Sequence, residues 1–429
     1  MAAVRDFFAR IPSLFFLARK SAWNRRFTLL LVTLSISLST VLLVGLERIR
    51  AQVRAGFTQA VSGTDLVVGA RGSPVQLILY AVFHMGGATN NMSWKSAEEI
   101  ASRPEVAWTI PLSMGDSHRG YPVVATNGDF FKYFRHRRDA SLEFSSGRAF
   151  ADVFEVVLGS EVASRLGYRE GDPVVLTHGG DVRGIEHADK PFAVVGILQP
   201  TGSPVDRSLY ISLESMEAIH VDWRGGAPVR GFVVPKDRVR AFDLNPKVIT
   251  AMLVGLKNRR AVFTLQREIQ ASQSEALSAV LPGVAMDQLW SLVGGWERVL
   301  ILVSLLVTFT GLAGLSSTIL AGLGERRREL AILRSTGASP WDIVVVMAAE
   351  GVLLTFCGMA AGLLVLVVLI LAAAPWLLNN YGLLISLSAP TGNEWLILSG
   401  ILVLGVLTSL VPALRAYFLS LSDGLSPSL

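Results

Sequence analysis

Long apolar runs alternate along the chain with a broad mixed region. The first run, Phe27 to Leu46 (FTLLLVTLSISLSTVLLVGL), holds no charged residue. About 20 residues at 1.5 Å each cross the roughly 30 Å of a bilayer's hydrocarbon, so this run predicts a transmembrane helix. A second lies at Val299 to Leu323 and a fourth at Trp395 to Ala413. The third falls within Ile343 to Leu378, too long for one simple crossing, and predicts an interfacial helix that bends into the membrane. The first run follows many charges and lacks a small-residue cleavage site, which predicts an anchor rather than a cleaved signal.

Between the first two runs the periodicity shortens. Glu47 to Ser62 continues the first span as a polar helix, and Leu66 to Val68 predicts a short strand. Asn91 to Arg103 reads as a helix, with Ser96 and Glu99 at capping-box spacing. Strand patterns follow at Tyr121–Ala125, Phe154–Leu158, Pro173–Thr177, Phe192–Leu198, Ser208–Ile211 and Gly231–Val234. Glu161–Leu166 and Leu213–Ile219 read as short helices, with Gly167 and Gly171 as turns. A helical pattern from about Leu265 to Trp296 leads back to the membrane. The expected fold is a membrane protein with four transmembrane α-helices and a large α+β outer domain on a helical stalk. Residues 1–62 hold the cytoplasmic entry, first span and stalk; 63–265 the outer domain; 266–429 the second stalk helix and the other three spans.

Composition agrees with a membrane protein that keeps a large water-soluble part. Hydrophobic residues make up 51% and charged residues 17%, below the roughly 25% of soluble domains. The net charge of +5 gains meaning from its distribution. Arg5, Arg10, Arg19, Lys20, Arg25 and Arg26 precede the first span, and Arg326, Arg327, Arg328 and Arg334 separate the second from the third. Pro375 to Glu394 has no Lys or Arg. The positive-inside rule therefore puts both termini and the arginine loop in the cytoplasm, and Glu47 to Arg298 outside. Trp290, Trp296, Trp376 and Trp395 sit near span ends, as interfacial anchors do. The single cysteine, Cys357, excludes an intrachain disulfide and reads as a small packing residue. A nucleic-acid role is not expected.

The cytoplasmic stretch GERRRELAILRSTGASPWDIVVVMAAEG, Gly324 to Gly351, carries the most chemistry. Leu330, Ile332 and Leu333 make an apolar stripe on a short helix among Arg327, Arg328 and Arg334. Gly337 stands where a left-handed C-cap is needed, and Ser339-Pro340 supplies an N-cap and a first-turn proline. This predicts helix, tight turn, helix at the membrane surface, a basic elbow suited to passing motion to the second and third spans.

R-x-x-E-L-A-I-L-R-S-T-G-A-S, followed by an acid entering the next span, resembles the coupling-helix signature of FtsX-like permeases, the group containing MacB, LolC/LolE and FtsX. Glu329, Ile332, Leu333, Arg334, Gly337, Ala338 and Ser339 match it, with Arg328 beside them, and Glu350 matches the acid of the third span. Val156–Leu176 and Phe192–Ile219 resemble the MacB-like periplasmic core domain, and Leu17 to Leu30 the family's amphipathic entry helix. The resemblance implies a non-catalytic permease subunit of the bacterial inner membrane. Its expected partners are a separate cytoplasmic ABC ATPase of the MacB/LolD type and a second permease subunit, with a periplasmic substrate-binding or adaptor protein as a further one. The chain lacks G-x-x-x-x-G-K-[ST], so ATP would be bound by the partner. Few polar residues (Thr308, Thr310, Ser316 to Thr318) could line a pore in span two, which favours mechanotransmission over passage of cargo.

Thr177 to Phe192 holds His178, Asp181, Glu186, His187 and Asp189. Imidazoles with carboxylates suit a borderline metal such as zinc, and His178, His187 and Asp189 are the candidate ligands. The spacing of nine between the histidines matches no standard site, and a solvated loop is the plainer reading. His84, His118 and His136 are scattered, and His220 closes a helix. The basic run Arg135 to Arg138 reads as a solvated loop, and the apolar stretch Gly72 to Gly86 as core packing, a dimer contact or a surface for hydrophobic cargo. Three finer functions stay open: a zinc-linked transporter, extraction of a lipid or lipoprotein, and FtsX-like regulation of a periplasmic enzyme.

Overall fold

The computed structural model describes residues 26–60, 63–86, 90–136, 140–179, 184–335, 337–381 and 387–418. The chain forms two compact units: Met1–Gln52, Gly294–Trp376 and Ile385–Leu429 in one, Val53–Val293 and Leu377–Leu384 in the other. Ten helices among the described residues are used below: α1 Arg26–Ala60, α2 Pro74–Ala81, α3 Trp94–Ala101, α4 Asp129–Tyr133, α5 Ser160–Leu166, α6 Leu213–His220, α7 Val262–Gln270, α8 Pro282–Ser335, α9 Pro340–Tyr381 and α10 Gly392–Tyr417.

The second unit is built on an eleven-stranded mixed sheet. Its strands are β1 Leu66–Ala70, β2 Val106–His118, β3 Tyr121–Thr126, β4 Phe144–Gly147, β5 Glu155–Leu158, β6 Pro173–Val174, β7 Thr177–His178, β8 Phe192–Leu198, β9 Leu209–Ser212, β10 Ala251–Leu256 and β11 Leu277–Val280. They run in the order β11-β1-β10-β2-β3-β9-β5-β8-β4, with β7 on β2 and β6 on β8. The pairs β9–β3 and β8–β5 are parallel. Successive side chains point to opposite faces, and here both faces are covered. Leu66, Val68, Val123, Ala125, Val156, Leu158, Leu209 and Ile211 enter one core, with residues of α3, α5, α6 and α7. Val67, Val124, Val157 and Tyr210 enter the other, with α2, Phe130 of α4, and Ala285 and Met286 of α8. Double coverage explains why these strands read as continuous apolar runs. The stretch Gly72 to Gly86 accordingly contributes Leu77, Ile78, Tyr80 and Phe83 to the second core.

Three sequence expectations for this unit are corrected, and one strand is new. Ser93, not Ser96, caps α3, accepting from the Ser96 amide, and the carboxylate that completes the cap is that of Glu275, which accepts from the Ser93 amide (2.9 Å) and hydroxyl (2.6 Å). Gly231–Val234 forms no strand: Gly231 has φ +79°, the Phe232 amide turns back to the Val229 carbonyl, and Phe232 and Val233 are exposed. The Leu265–Trp296 pattern is broken after α7 by β11, and helix resumes at Pro282, where a fixed φ suits a first turn. The longest strand, β2, carries only weak alternation and was not expected.

One buried ion pair staples the loop before β8 to the end of α6. Lys190 and Asp222 are 1% and 5% exposed, and the ammonium reaches both carboxylate oxygens at 2.9 Å. The Val234 amide donates to the same carboxylate (3.1 Å). Burial pushes the Asp222 carboxyl up, but the hydrogen bonds and charge of Lys190 and the Val234 amide together outweigh it and hold it below the usual range.

The first unit holds the four helices long and apolar enough to cross a membrane among the described residues: Leu29–Ala55, Gly294–Leu323, Pro340–Leu377 and Gly392–Tyr417. Trp296, Trp376 and Trp395 are exposed at their ends. Glycines of α9 bring its neighbours close. A Cβ on Gly358 would lie 2.7 Å from Ile36, one on Gly362 2.7 Å from the Ser37 carbonyl, and one on Gly351 2.3 Å from Ser409. Small residues at such crossings let transmembrane helices pack closely. Cys357, expected to pack inside, is exposed. The third span is one helix from Pro340 to Tyr381, with no separate interfacial segment.

Polar groups gather at the outer end of the spans. Arg48 grips Glu394 through Nε to Oε1 and Nη2 to Oε2, both at 2.9 Å, with the pair 9% and 1% exposed. Glu394 also closes a capping box with Thr391 at the start of α10. Arg50 meets Glu297 (3.1 Å) and Glu47 (3.3 Å), and Asn393 donates to Glu47.

Gly362→Leu should destabilise the bundle by about 1–3 kcal/mol through overpacking, whereas Gly400→Leu, where a Cβ meets nothing within 4 Å, should not; thermal unfolding of the detergent-solubilised chain compares them. Lys190→Met should cost about 3–5 kcal/mol by leaving Asp222 buried and uncompensated, and Lys190→Met/Asp222→Leu should recover most of it. Tryptophan-monitored unfolding is the readout, and equal losses in both variants would contradict the assignment.

Candidate functional site

Asp116, His178, His187 and His220 converge in the second unit, each offering a ligand atom within 4.8 Å of the others. Four separate pieces of backbone deliver them. In the β7–β2 ladder His178 stands directly opposite Asp116. The pairing of β2 with β3 is irregular between Met114 and Ser117, and such a bulge re-aims side chains, here at Asp116. The chain returns beside β7, with the His178 amide donating to the Ile185 carbonyl and the His187 amide to the Leu176 carbonyl (both 2.8 Å), so His187 comes back opposite Leu176, two positions from His178. His220 is the last residue of α6. The Lys190–Asp222 pair lies three residues beyond His187 and two beyond His220, and so fixes both segments.

The polar atoms meet at short range. His178 Nδ1 is 2.9 Å from Asp116 Oδ1 and 3.0 Å from His220 Nε2. Asp116 Oδ2 is 3.7 Å from His220 Nε2 and 3.9 Å from His187 Nε2. His220 Nδ1 donates to the Met216 carbonyl (2.9 Å), which leaves its Nε2 lone pair facing the cluster. Trp223 lies against all three imidazoles, with ring centroids 4.6–5.4 Å away. Asp116 and His187 are buried, whereas His178 and His220 are 33% and 23% exposed. Asp116 Oδ2 and both ring nitrogens of His187 have no hydrogen-bond partner among the described residues. Each such orphan costs about 1–3 kcal/mol. Burial, then the His220 and His178 rings, hold His187 down at about 4, so it is a neutral ring near pH 7. Burial pushes the Asp116 carboxyl up against the pull of His220 and His178. Three imidazoles and a carboxylate can hold a borderline cation, share a proton, or do both in turn.

Of the sequence candidates, His178 and His187 are brought together, whereas Asp189 pairs with Lys190 (2.9 Å) and is half exposed. Asp181 lies outside the described residues, as do Arg137 and Arg138 of the basic run and the entry segment before Arg26. Asp116 and His220 were missed as ligands. His220 had a signal, a helix-terminal histidine followed by Asp222 and Trp223; Asp116, 62 residues from His178, had none.

The elbow is also in place. Gly337 has φ +97°, its amide donates to the Arg334 carbonyl, and the Ser339 hydroxyl and Asp342 carboxylate accept each other's amides (3.3 and 2.7 Å). Ala338 is half-buried, Ser339 exposed, and Glu350 half-buried within α9. The arginine segment is not a separate short helix: Arg328, Glu329, Ile332, Leu333 and Arg334 all continue α8. GERRRELAILRS contains only one poor helix former, Gly324, and nothing in it stops the helix before Gly337.

Residues 27–271 match the MacB-like periplasmic core domain, and residues 301–421 match the C-terminal region of FtsX-like permeases. The lipoprotein-releasing system transmembrane protein LolC of Neisseria meningitidis serogroup B (strain ATCC BAA-335 / MC58) is 26% identical over 213 residues, 49% of this chain and 46% of LolC. The chain thus spans about half the length of the curated relative it matches. The periplasmic region of MacB from Actinobacillus actinomycetemcomitans aligns with 54% of this chain and 97% of that structure, at 10% identity and a TM-score of 0.32. The extracellular domain of the ABC-type transporter YknZ from Gram-positive bacteria aligns with 51% and 99%, at 10% and 0.29. Because the core-domain match alone takes in more than half of the chain and the permease match takes in most of the last three spans, this protein belongs to the family of FtsX-like ABC transporter permeases with a MacB-like periplasmic core domain, multi-pass proteins of the inner membrane.

Proposed function

We propose that the chain is the membrane subunit of an ABC transporter in which a separate cytoplasmic ATPase drives movement of the periplasmic domain. One observation carries the reading: α8 is a single helix of 54 residues in which the second span continues without a break into the arginine segment. At 1.5 Å per residue it is about 80 Å long. A push on the arginine segment is carried into the second span along one unbroken helix. The joint lies one step later, at Gly337 to Ser339, where the turn passes motion to α9.

The spans support transmission of motion over passage of cargo. Thr308 and Thr310 spend their hydroxyls on the Ser304 and Leu306 carbonyls one turn back, as do Thr33, Ser35, Ser39, Thr40, Thr355 and Thr408 on theirs. A hydroxyl satisfied by its own helix is not offering itself to a hydrophilic solute. Arg48–Glu394 and Arg50–Glu297 tie spans one, four and two at the outer end, so these helices move together. A second copy or a related permease completes the assembly in this reading, and the cargo is an envelope molecule handled by the periplasmic domain.

Co-purification with the ATPase tests the coupling. Gly337→Val keeps the open space around the residue but forces a side chain into a φ of +97°. It should leave the protein folded and abolish stimulation of ATP hydrolysis, as should Leu333→Asp. Stimulation equal to wild type in both would remove the elbow from the mechanism.

A further inference from the structure

We propose that Asp116, His178, His187 and His220 form a binding site for a borderline divalent cation, Zn2+, which enters from the side of His178 and His220. The inference does not depend on the coupling mechanism above. It begins with geometry. Ligand atoms arranged tetrahedrally at about 2.0–2.1 Å from zinc stand about 3.3 Å from one another. The contacts of 2.9, 3.0, 3.7 and 3.9 Å within the cluster bracket that spacing. One ligand atom from each of the four residues lies within 4.8 Å of the other three, so small side-chain rotations close the donor groups around one ion.

Hydrogen bonding among the four residues cannot account for the arrangement. The His178 Nδ1 proton can serve only one of its two neighbours well, Asp116 Oδ1 or His220 Nε2. His187 is buried with neither nitrogen bonded, although Asp116 Oδ2 is itself unpartnered 3.9 Å away. A rotamer adjustment would let one donate to the other, yet one nitrogen of each ring and a carboxylate oxygen lie gathered within 4.8 Å of one another instead. A cation among them satisfies the carboxylate and all three imidazoles together. His220 already has the feature that metal-bound histidines show, its remote nitrogen donating to a backbone carbonyl, which fixes the tautomer and the ring plane. The other histidines are engaged elsewhere: His84 with Ser208, His118 with the Val175 carbonyl and Tyr168, and His136 with the Ser141 carbonyl.

The donor set chooses the ion. Imidazole nitrogen suits zinc and its transition-metal neighbours, whereas Mg2+ and Ca2+ need several oxygens and find one carboxylate here. Two ligands are buried and two partly exposed, and Trp223 covers the rings from one side. Ion exchange with the periplasm can proceed past His178 and His220 without opening the sheet.

The test is a zinc titration of the full-length, tag-free protein in detergent, read by competition with a chromophoric chelator. One ion per chain should bind with micromolar or tighter affinity, and His178→Ala/His220→Ala should weaken it by at least about 100-fold. His84→Ala, outside the cluster, should bind as wild type does. Cobalt(II) added to the wild-type chain provides a readout that no variant can spoil. Intense visible absorption bands of a tetrahedral nitrogen-rich site, displaced by zinc, are expected. Absence of saturable zinc binding, undiminished affinity in a folded double variant, or a pale octahedral cobalt spectrum would each overturn the proposal.

Discussion

Burial of the outer sheet on both faces is the constraint that orders the rest of the periplasmic unit. A strand with one wet face can put a catalytic or ligating group on every second position. Here Val123 and Val124, or Val156 and Val157, alternate between two dry cores, so either face rejects an uncompensated polar group. Thr126, which does enter, is satisfied on the spot by the Pro111 carbonyl. Chemistry is therefore pushed to the strand ends. Asp116 lies two residues from the end of β2, past a bulge; His178 ends β7; and His220 ends α6. The cluster forms where the two-faced rule lapses and several chain ends meet.

In the membrane unit the corresponding constraint is the absence of water. Backbone groups are satisfied within each helix, and hydroxyls turn back onto the carbonyl one turn earlier. What remains for holding helices together is close packing, and α9 provides it with glycines that meet span one at Ile36 and Ser37 and span four at Ser409. Charge is tolerated at the outer end, where Arg48 and Glu394 make a bidentate pair and the carboxylate doubles as the cap of α10. Such helices resist bending, since a bend would break the backbone ladder with no water to mend it.

Legibility followed the range of the interactions. The four spans, the left-handed Gly337 and the Ser339 cap depend on neighbours within a few residues, and they were readable. The Ser93 cap was misread because its carboxylate, Glu275, is 182 residues away. The same holds for the cluster. His178 and His187 share one loop rich in imidazole and acid, and drew attention as a pair. Asp189 was grouped with them by proximity in sequence, yet Lys190 claims it. Asp116 drew no attention, because only the β7–β2 register places it opposite His178. The length of α8 was hidden by its arginines, which read as a separate short helix after the second span, although every one of them favours continuing it.

The energetics of the cluster argue that it is not an accident of packing. A buried carboxylate with an unbonded oxygen and a buried imidazole with two unbonded nitrogens each lower stability by an amount on the order of a kcal/mol or more. They sit beside a buried Lys190–Asp222 pair, which apolar residues of the same size would replace at little or no loss. A fold selected for packing alone would have filled this end of the sheet as it filled the faces, with valine and leucine. Instead the ion pair holds His187 and His220 at positions where their nitrogens face Asp116 and His178, and Trp223 closes one side. Polar groups kept in unfavourable isolation, braced from behind and open on one side, make sense once the partner that satisfies them comes from solution.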